Sequence, residues 1–471
     1  MSNSTSQDHH ISSESPHIVL FPSPGMGHLT PFLRLAVIFA SQGCLVTLIK
    51  PQPSLVSDEE SKQISNFLNS HYNINSLEFH PTILNSENSI SNLHYSFINQ
   101  VKALNSLILC QLPSFLLSLP KPATALFADF AVAASLETVS SDISIPCFLV
   151  CTTSARCYST VAYLPELISK ISKNPSEFEI PGISPVPRSI IPPSWLDISY
   201  SNELLTTYLI PNALSLSKVS GILLNSFTSF EKETITSLME GKVLTSLPPM
   251  YPIGPLHPYE LDQIQEHDYF SWLGDKPAES VVYVNFGSRT VLSDEQTIEL
   301  EQALKRSGFP FIWVFPKSSF DDSFVERKDV EGFVLKGWAN QPGILSHPSV
   351  GGFINQCEWN SVTEASKEGL PILAWPQHGD HKMNAEVVKN SGLGIWVEDW
   401  GWGGEKLVKR NEIEARVREL MGDKSLRAKA KKVAKEAKEA WEGNGSSKQA
   451  LYGVLELLIQ QQQQKKNHHL K

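Results

Sequence analysis

Short runs of apolar residues alternate with longer segments of helical pattern over most of the chain. In the first half, these runs have the length of strands buried on both faces: HIVLF (17–21), CLVTLI (44–49), ATALFAD (123–129), IPCFLVC (145–151) and SGILLNSF (220–227). Between the first two, TPFLRLAVIFASQG is typical of a helix, with Thr30 as N-cap, Pro31 in the first helical position and Gly43 after the end. A strand, a helix and a strand at this spacing predict a parallel sheet with a right-handed crossover.

A second series of the same kind follows a proline-rich segment, YPIGPLHPYELDQ (251–263), which has little periodicity. Its predicted strands are SVVYVNFGS (280–288), FPFIWVF (309–315), SVGGFIN (349–355), LPILAWP (370–376) and GLGIWV (392–397). KSLRAKAKKVAKEAKEAWEG (424–443) is typical of a helix with a solvated, charged face.

Two similar α/β domains with a cleft between them are therefore predicted. The predicted boundaries are a disordered tail (1–15), a first domain (16–250), a linker (251–275), a second domain (276–458) and a low-complexity tail (459–471).

Composition and charge exclude several classes of protein. The net charge of −10 is the opposite of what a nucleic-acid-binding protein needs. No apolar run approaches the ~18 residues of a membrane span, and the start of the chain has no signal-peptide pattern. The six cysteines lack the spacing of a metal site, which favours reduced thiols in a cytoplasmic protein. We expect a monomer with no metal and no membrane span.

The segment GGFINQCEWNSVTEASKEGLP (351–371) joins a predicted strand to a predicted helix through a polar turn. One interpretation is structural: Ser361 and Glu364 have the spacing of a capping box, and Gly369 ends the helix. The other is functional, because a helix N-terminus at the carboxyl end of a strand favours an anion such as phosphate. Asn360 and Ser361 would then add donors, and Glu364 would accept from ribose hydroxyls. The local pattern leaves both interpretations open.

The flanking turns favour the functional interpretation. Upstream, Trp338 and Gln341 lie in a turn at a strand end, and downstream Asp380 and His381 come just before another helix. An aromatic plate, an amide, phosphate donors and two carboxylates thus follow one another, each at a strand-to-helix turn. This order is the one that a nucleotide-sugar requires: base, ribose, diphosphate and hexose.

Residues 338–381 resemble the donor signature of the plant family-1 UDP-glycosyltransferases. HIVLFPSPGMGHLTPFLRLA, LFADF, GILLNSF, YPIGPL and SVVYVNFGS are similar to other landmarks of that family, in the same order. The resemblance implies an α/β fold of GT-B type, with two Rossmann-like, doubly wound domains facing across a cleft. It also implies a UDP-sugar, UDP-glucose, as co-substrate, without a cofactor or a metal.

The resemblance assigns a large set of residues to the donor site and implies a contact for most of them. Trp338 would stack on uracil, Gln341 would lie near the nucleoside, and Glu364 would bind the ribose. The phosphates and the sugar hydroxyls would be bound by Ser288, Gln356, Trp359, Asn360, Ser361, Asp380 and His381. Ala339, next to Trp338, is also assigned to the donor site.

Three residues depart from the family pattern, which usually has His-Cys-Gly-Trp-Asn-Ser followed later by Asp-Gln. Gln356 replaces a histidine, so a charge-assisted bond of ~1.5–3 kcal/mol becomes one of ~0.5–1.5 kcal/mol. Glu358 replaces a glycine, and a carboxylate ~5 Å from a phosphate charge is repelled by roughly 3 kcal/mol at an effective dielectric of 20. Unless Glu358 turns outward or pairs with a cation, donor affinity falls. His381 replaces a glutamine, an exchange associated with galactose donors in some members.

A catalytic pair is predicted from His28 and Asp129. His28 follows the first strand in PGMGHL, and Asp129 ends the strand ALFAD, so both lie at the carboxyl edge of the first sheet. The N-terminus of the following helix disfavours imidazolium, which favours a neutral base, and a carboxylate is the usual partner that orients it. A lone histidine in a loop, or an aspartate in a turn, would be the structural alternative. The resemblance assigns the same two positions as base and helper.

Several segments resemble the flavonoid C-glucosyltransferase branch, above all GLGIWVEDWGWGGEKLVKR (392–410). The resemblance implies glucose transfer to an aromatic carbon of a polyhydroxylated phenol, because a phenolate shares its charge with its ortho and para carbons. Candidates for the acceptor wall are His94, Phe97, Phe130, Tyr158 and Arg289, although a core role is the alternative for the aromatic residues.

Other functions stay open or are disfavoured. Transfer of glucose to oxygen, use of a galactose donor and a nucleotide-sugar-binding protein without catalysis all remain open. A nicotinamide oxidoreductase is disfavoured because neither GMGHLT nor GGFINQ completes a GxGxxG fingerprint, and a serine hydrolase is disfavoured because GxSxG is missing.

Overall fold

The computed structural model describes residues 15–50, 58–78, 97–143, 145–199, 201–259, 267–316, 327–328 and 332–469 of the 471-residue chain. His94, one of the predicted acceptor residues, lies outside the described residues, and so does the middle of the predicted linker. Phe97 begins a helix, but its side chain also lies outside the description.

The first sheet is parallel throughout, with the strand order β3-β2-β1-β4-β5-β8-β9. A separate antiparallel pair is formed by β6 and β7. The strands are β1 (His17–Phe21), β2 (Leu45–Lys50), β3 (Ile74–Glu78), β4 (Ala125–Asp129), β5 (Cys147–Cys151), β6 (Glu177–Phe178), β7 (Val186–Pro187), β8 (Gly221–Leu224) and β9 (Met250–Pro252).

The second sheet has the order β12-β13-β11-β10-β14-β15-β16 and is parallel except for the edge strand β12. Its strands are β10 (Val281–Asn285), β11 (Phe311–Phe315), β12 (Arg327–Lys328), β13 (Gly332–Lys336), β14 (Val350–Asn355), β15 (Ile372–Ala374) and β16 (Gly394–Trp396). The fold is thus α/β with two Rossmann-like sheets, and the predicted fold class is confirmed.

Helices connect the strands in both sheets. They are α1 (Met26–Ser41), α2 (Asp58–Ser70), α3 (Phe97–Leu117), α4 (Ala133–Ile143), α5 (Ala155–Ala162), α6 (Leu164–Lys170), α7 (Ile210–Ser215), α8 (Lys232–Met239), α9 (Asp268–Gly274), α10 (Asp294–Ser307), α11 (Gln341–Leu345), α12 (Trp359–Glu368), α13 (His381–Ser391), α14 (Arg410–Gly422), α15 (Lys424–Glu439) and α16 (Ser446–His469). None of the helices in the described ranges combines the length and the apolar character that a membrane crossing would need.

Both sheets have a point at which the strand order reverses. In the first sheet β1 lies between β2 and β4, and in the second β10 lies between β11 and β14. At such a point neighbouring connections leave on opposite faces of the sheet, and the carboxyl ends of the two central strands open a crevice. The loops after β1, β4, β10 and β14 are therefore the natural places for ligand-binding residues.

Helix α1 starts four residues before the predicted N-cap. Gly25, with a φ of 109°, precedes its first residue Met26, and Pro31 lies inside the helix instead of Thr30 capping it. Pro31 has no N–H to donate to the Gly27 carbonyl four residues earlier. The side chain of Asn360, from α12, donates to that carbonyl instead at 2.8 Å. The early start therefore connects the N-terminus of α1 to the helix that follows β14.

Helix α16, the last in the chain, packs with residues of the first domain. Four of its side chains are buried in the same cluster as Phe32, Phe39 and Phe127: Leu451, Val454, Leu455 and Leu458. The Ser447 hydroxyl also donates to the Gly254 carbonyl at 2.6 Å. The sequence-based boundaries group residues up to 458 with the second domain, whereas these side chains pack with the first. The helix continues to His469, through most of the segment predicted as a low-complexity tail.

Candidate active site

A cavity of about 1360 Å³ lies between the carboxyl edges of the two sheets. Both halves of the chain line it, as the reversal of strand order in each sheet requires. Most of the predicted site residues are among its lining: His28, Phe130, Ser288, Arg289, Trp338, Ala339, Gln341, Gln356, Asn360, Ser361, Glu364, Asp380 and His381, together with Glu358.

His28 is held by Asp129 at the edge of the first sheet. Its Nδ1 lies 2.8 Å from Asp129 Oδ2, and the other carboxylate oxygen accepts from the Ala131 amide at 2.8 Å. Thr152 Oγ1 lies 3.3 Å from the same ring nitrogen. Because a carboxylate only accepts, Nδ1 carries the proton and Nε2 keeps its lone pair. Asp129 is fully buried whereas His28 is partly exposed, so the free lone pair is the part of the pair available to a ligand.

The pKa of His28 is raised above its ordinary value. Burial lowers the pKa, but the charge and the hydrogen bond of Asp129 raise it by more; Arg289 lowers it and Glu358 raises it to a smaller extent. The position at a helix N-terminus predicted the opposite direction, and the carboxylate outweighs that effect. The neutral imidazole that a base requires therefore predominates only at a pH above the raised pKa of His28.

Gln341 connects several polar groups at one end of the cavity. Its amide nitrogen donates to Ser361 Oγ at 3.1 Å and to Glu364 Oε2 at 2.8 Å, and its oxygen accepts from Asn285 at 2.9 Å. Trp338, in the loop between β13 and α11, lines this end with 43% of its surface exposed. A large aromatic side chain left exposed at a cavity wall provides a surface on which a flat ring can stack.

Glu364 forms a buried ion pair with Arg34 of α1. The two side chains are 8% and 2% exposed, and 330 residues separate them in the chain. One carboxylate oxygen meets Arg34 and the other meets Gln341. The pair thus ties the first sheet to the helix after β14 and fixes the orientation of the carboxylate beside the cavity.

Helix α12 is capped by Glu358 and not by Ser361. The carboxylate Oε2 of Glu358 accepts from the Asn360 amide at 3.2 Å, and the preceding Cys357 has a φ of 67°. The predicted capping box is therefore wrong, because the helix already begins at Trp359. Ser361 and Glu364 lie within the helix, so their side chains are left to line the cavity.

The Glu358 carboxyl points inward. Its Oε1 lies 2.9 Å from the position that a Cβ on Gly27 would take, next to His28. Burial raises its pKa to about 7; the Asn360 amide lowers the value, Asp380 and Glu364 raise it, and His28 lowers it. The side chain does not point outward, and no Lys or Arg among the described residues forms an ion pair with it, so neither arrangement expected from the sequence is seen in this part of the chain.

Two buried acceptors near the N-terminus of α12 have no hydrogen-bond partner among the described residues, namely Gln356 Oε1 and Asn360 Oδ1. Both residues are 6% exposed and line the cavity. The Gln356 amide nitrogen is 2.3 Å from the Cβ position of Gly287, which places the glutamine directly against the loop after β10. Unpaired buried acceptors are costly, so a ligand that brings hydroxyl or amide donors is favoured here.

Asp380 and His381 form the remaining part of the wall. Asp380 Oδ2 accepts from Asn384 at 2.8 Å and also from Thr153, which leaves Oδ1 for a ligand. Burial lowers the pKa of His381 to about 3, so the ring is neutral. Its Nδ1 lies 3.4 Å from the amides of Gln377 and His378, and Nε2 therefore carries the proton. This wall offers one carboxylate acceptor and one imidazole donor.

Of the predicted site residues whose side chains the structure describes, three are not part of the cavity lining: Asp129, which is fully buried behind His28, and the aromatic residues Trp359 and Tyr158. Trp359 is fully buried, its indole N–H donates to the Asn225 carbonyl at 2.7 Å, and its ring packs 5.9 Å from that of Phe230. Tyr158 is also fully buried in the first domain. The side chains of both residues serve the core, which is the structural alternative already weighed for the aromatic acceptor candidates.

The site contains several polar residues that were not predicted from the sequence, among them Arg34, Thr153 and Asn384. A signal existed for Asn384, which follows Asp380 by four residues and therefore lies on the same face of a helix. A signal also existed for Arg34, since a charge within the apolar run LRLA has to find a buried partner. Thr153 gave none. In the described ranges, no group of three or more His, Cys, Asp or Glu side chains is arranged to hold a metal ion.

Comparisons with known proteins agree with this architecture. A family profile described as "UDP-glucoronosyl and UDP-glucosyl transferase" matches residues 245–435. UDP-glycosyltransferase 708C1 of Fagopyrum esculentum is 40% identical over 456 residues, which cover 94% of this chain and 95% of that protein. UDP-glycosyltransferase CGT of Oryza sativa subsp. japonica is 35% identical over 454 residues, 93% and 94% of the two chains.

A solved structure extends the similarity to three dimensions. LpCGTa, crystallised in complex with UDP, is 36% identical, with a TM-score of 0.80 over 94% of this chain and 99% of that one. The chain belongs to the plant UDP-glycosyltransferases of GT-B fold, near their C-glucosyltransferase branch. It is a UDP-glycosyltransferase that uses a UDP-sugar donor, and the predicted family is confirmed.

Proposed function

We propose that this enzyme transfers glucose from UDP-glucose, with inversion, to an aromatic carbon of a polyhydroxylated phenol, with His28 as the base. The observation that carries the proposal is the bond of 2.8 Å between His28 Nδ1 and Asp129, which leaves Nε2 free to accept a proton beside the cavity. The relatives named CGT support the choice of carbon.

The reaction begins when His28 Nε2 takes the proton of a phenolic hydroxyl. The resulting phenolate shares its charge with its ortho and para carbons, and one of these attacks the anomeric carbon as the bond to the diphosphate oxygen breaks. UDP leaves, and the ring carbon loses its hydrogen as a proton to restore aromaticity. The imidazolium then returns its proton to the phenolate oxygen, which regenerates the phenol and neutral His28. The sum is one new carbon–carbon bond, one UDP and one proton released. Asp129 stabilises the imidazolium that forms in the first step.

The donor is proposed to lie along the second sheet. Uracil stacks on Trp338, and the ribose hydroxyls donate to Glu364. The diphosphate lies at the N-terminus of α12, where free amides and the helix dipole stabilise the charge of the leaving group. The phosphate and sugar contacts are assigned to Ser288, Gln356, Asn360, Ser361, Asp380 and His381. The unpaired acceptors on Gln356 and Asn360 support a sugar-bearing ligand, since a hexose supplies hydroxyl donors.

The acceptor is proposed to occupy the part of the cavity that the first domain lines. The wall there is mainly apolar: Phe130, Val161, Trp195, Leu204, Tyr208 and Leu209. His28 and Arg289 also line the cavity, and they contact the same turn: Arg289 lies 2.9 Å and the His28 ring 3.6 Å from the Cβ position of Gly25. A flat phenol with several hydroxyls fits an apolar wall that ends at a base and a cation.

The test of the proposal is incubation with UDP-glucose and phloretin, a 2,4,6-trihydroxyphenyl ketone, followed by mass spectrometry before and after hot acid. We expect a hexose adduct that survives the acid, because a carbon–carbon bond does not hydrolyse as a glycosidic bond does. A phenolic O-glucoside carried through the same treatment shows that the acid is strong enough.

The other outcomes are equally informative. An adduct that the acid removes contradicts transfer to carbon and assigns transfer to oxygen. An adduct formed only with UDP-galactose contradicts glucose as the donor sugar. Binding of UDP-glucose without any adduct contradicts catalysis with this acceptor class.

Trp338→Ala tests the nucleobase end of the donor site. Stacking of a base on an aromatic side chain contributes ~1–3 kcal/mol, so we expect the KM for UDP-glucose to rise about 5- to 150-fold. The turnover number should change little, because the uracil stays in place through the reaction. Steady-state kinetics at saturating acceptor measure both quantities. Trp338→Phe is the matched control and should keep most of the affinity; an unchanged KM in the alanine variant would place the base elsewhere.

A further inference from the structure

Glu358 stands where an anion is expected to bind. Its carboxylate occupies the N-terminus of α12 by accepting from the Asn360 amide at 3.2 Å, and it lines the same cavity as Gln356 and Ser361. A carboxylate and a phosphate compete for the same helix-terminal donors, and they repel each other when both are charged. The donor site therefore contains a group that favours the unliganded state whenever it is ionised.

The surroundings of this carboxyl keep it facing the cavity. Gly27 packs against Oε1, and a side chain there would meet it at 2.9 Å. The Gly27 carbonyl is in turn held by Asn360 at 2.8 Å, so the N-termini of α1 and α12 enclose the Glu358 side chain from two sides. Glu358 is half-buried, and its cap to the Asn360 amide together with its contact with Gly27 holds the carboxyl at the cavity wall.

A neutral carboxyl solves this conflict. Its carbonyl oxygen still accepts from the Asn360 amide, while its O–H becomes a donor that a phosphate oxygen accepts. Two acceptors that line the same cavity, Gln356 Oε1 and Asn360 Oδ1, have no donor among the described residues, and a proton on Glu358 would add one donor to this wall. A site with several acceptors and a diphosphate needs at least one further proton.

We propose that Glu358 is a protonation-dependent gate of the donor site: its neutral carboxyl hydrogen-bonds the diphosphate, and its anionic carboxylate caps α12 and excludes it. The proposal rests on the proposed donor site and adds a positioning residue to it. Glu358 acts on donor binding, whereas His28 acts on the acceptor.

Other titratable and charged groups line the same cavity as this carboxyl, or pair with its lining, and their effects have to be separated from that of Glu358. They come from α1, from the loop after β10, from α12 itself and from the residues before and at the start of α13: His28 with Asp129 behind it, Arg289, Glu364 with Arg34, Asp380, His378 and His381. His28 is the main competitor, because its pKa is also raised and its protonated form also attracts a diphosphate.

The test is the dissociation constant of UDP-glucose without acceptor, measured by calorimetry from pH 6 to pH 8.5. The diphosphate diester of UDP-glucose does not titrate in this range. A carboxyl with a pKa of about 7 goes from mostly neutral to almost fully ionised, so we expect the dissociation constant to rise by up to about 30-fold. In Glu358→Gln the amide cannot ionise, so we expect most of the rise to disappear, with a dissociation constant close to the wild-type value at pH 6; any remaining slope is the part that His28 contributes.

Three further variants complete the design. Glu358→Gly should also remove most of the rise, and it guards against a folding defect because glycine is tolerated at an N-cap. Glu368→Gln, at the other end of α12, removes a partly exposed carboxylate and should keep the wild-type slope. His28→Gln should keep most of it.

A flat wild-type profile would overturn the gate, as would a slope that survives in full in Glu358→Gln and disappears in His28→Gln. Because no acceptor is present, these results do not depend on whether carbon or oxygen is glycosylated. Failure of the gate is therefore distinct from failure of the proposed reaction.

Discussion

His28→Ala is expected to lower the turnover number with a phenolic acceptor by about 100- to 10,000-fold, the usual contribution of a positioned general base. The KM for UDP-glucose should change little, since the proposed donor contacts lie on the second sheet. Residual turnover should rise with pH, because only phenolate formed in solution can then react. Initial rates with UDP-glucose and phloretin across a pH series measure all three effects.

The pH dependence of the wild-type enzyme provides a second test of His28 as the base. Its turnover number should fall as the pH drops through the raised pKa of His28, since imidazolium cannot accept the phenolic proton. His347→Gln is the matched control, because His347 lies before β14, bonds Ser349 and does not line the cavity. Near-normal turnover in His28→Ala would exclude His28 as the base.

Arg34→Ala is expected to lower the free energy of unfolding by about 3–5 kcal/mol, the usual effect of removing one partner of a buried ion pair. Arg34 is 2% exposed and Glu364 8%, so the carboxylate would be left buried without its cation. The same change should weaken UDP-glucose binding, because Arg34 orients the carboxylate proposed to bind the ribose. Urea unfolding followed by both circular dichroism and tryptophan fluorescence, together with calorimetry of UDP-glucose, measures the two effects.

An exposed pair is the control for this prediction. Lys50 and Glu78 form an ion pair at 2.7 Å at the edge of the first sheet, with side chains 24% and 48% exposed. Lys50→Ala should cost less than about 1 kcal/mol. Arg34→Met combined with Glu364→Gln should recover much of the lost stability, because it removes both charges. An equal, small cost for Arg34→Ala and Lys50→Ala would mean that the buried pair contributes nothing.

Strands with a long, continuous apolar run were predictable from the sequence, whereas strands that are short, exposed or next to prolines were not. FIWVF is apolar throughout, and HIVLF is apolar after its first residue, because helices cover both faces of a parallel sheet. Strand β1 was therefore predicted to the residue and β11 within two residues. INSLE forms β3 at a sheet edge, where most of its side chains are exposed and the sequence carries no apolar run. MYP, in β9, was hidden by the prolines of the predicted linker.

Helix starts were the weakest predictions, since caps depend on tertiary contacts. Ser361 and Glu364 have the spacing of a capping box, but Glu358 reaches the first free amide before them. Thr30 precedes a proline in the usual N-cap pattern, but α1 begins at Met26. The side-chain amide of Asn360 donates to the Gly27 carbonyl, which Pro31 leaves without an N–H donor. Both errors lie at the point where the two helix N-termini meet.

The sequence by itself determined the two series of buried strands, the family, and the order of donor-site residues, because each is written in local runs at fixed spacing. Tertiary structure alone decided the Arg34–Glu364 pair, the inward direction of Glu358 and the raised pKa of His28. These features join residues 101 to 330 positions apart, or depend on how far burial removes a charge from water. No local pattern encodes them, because charge pairing and desolvation follow from distances that only the folded chain fixes.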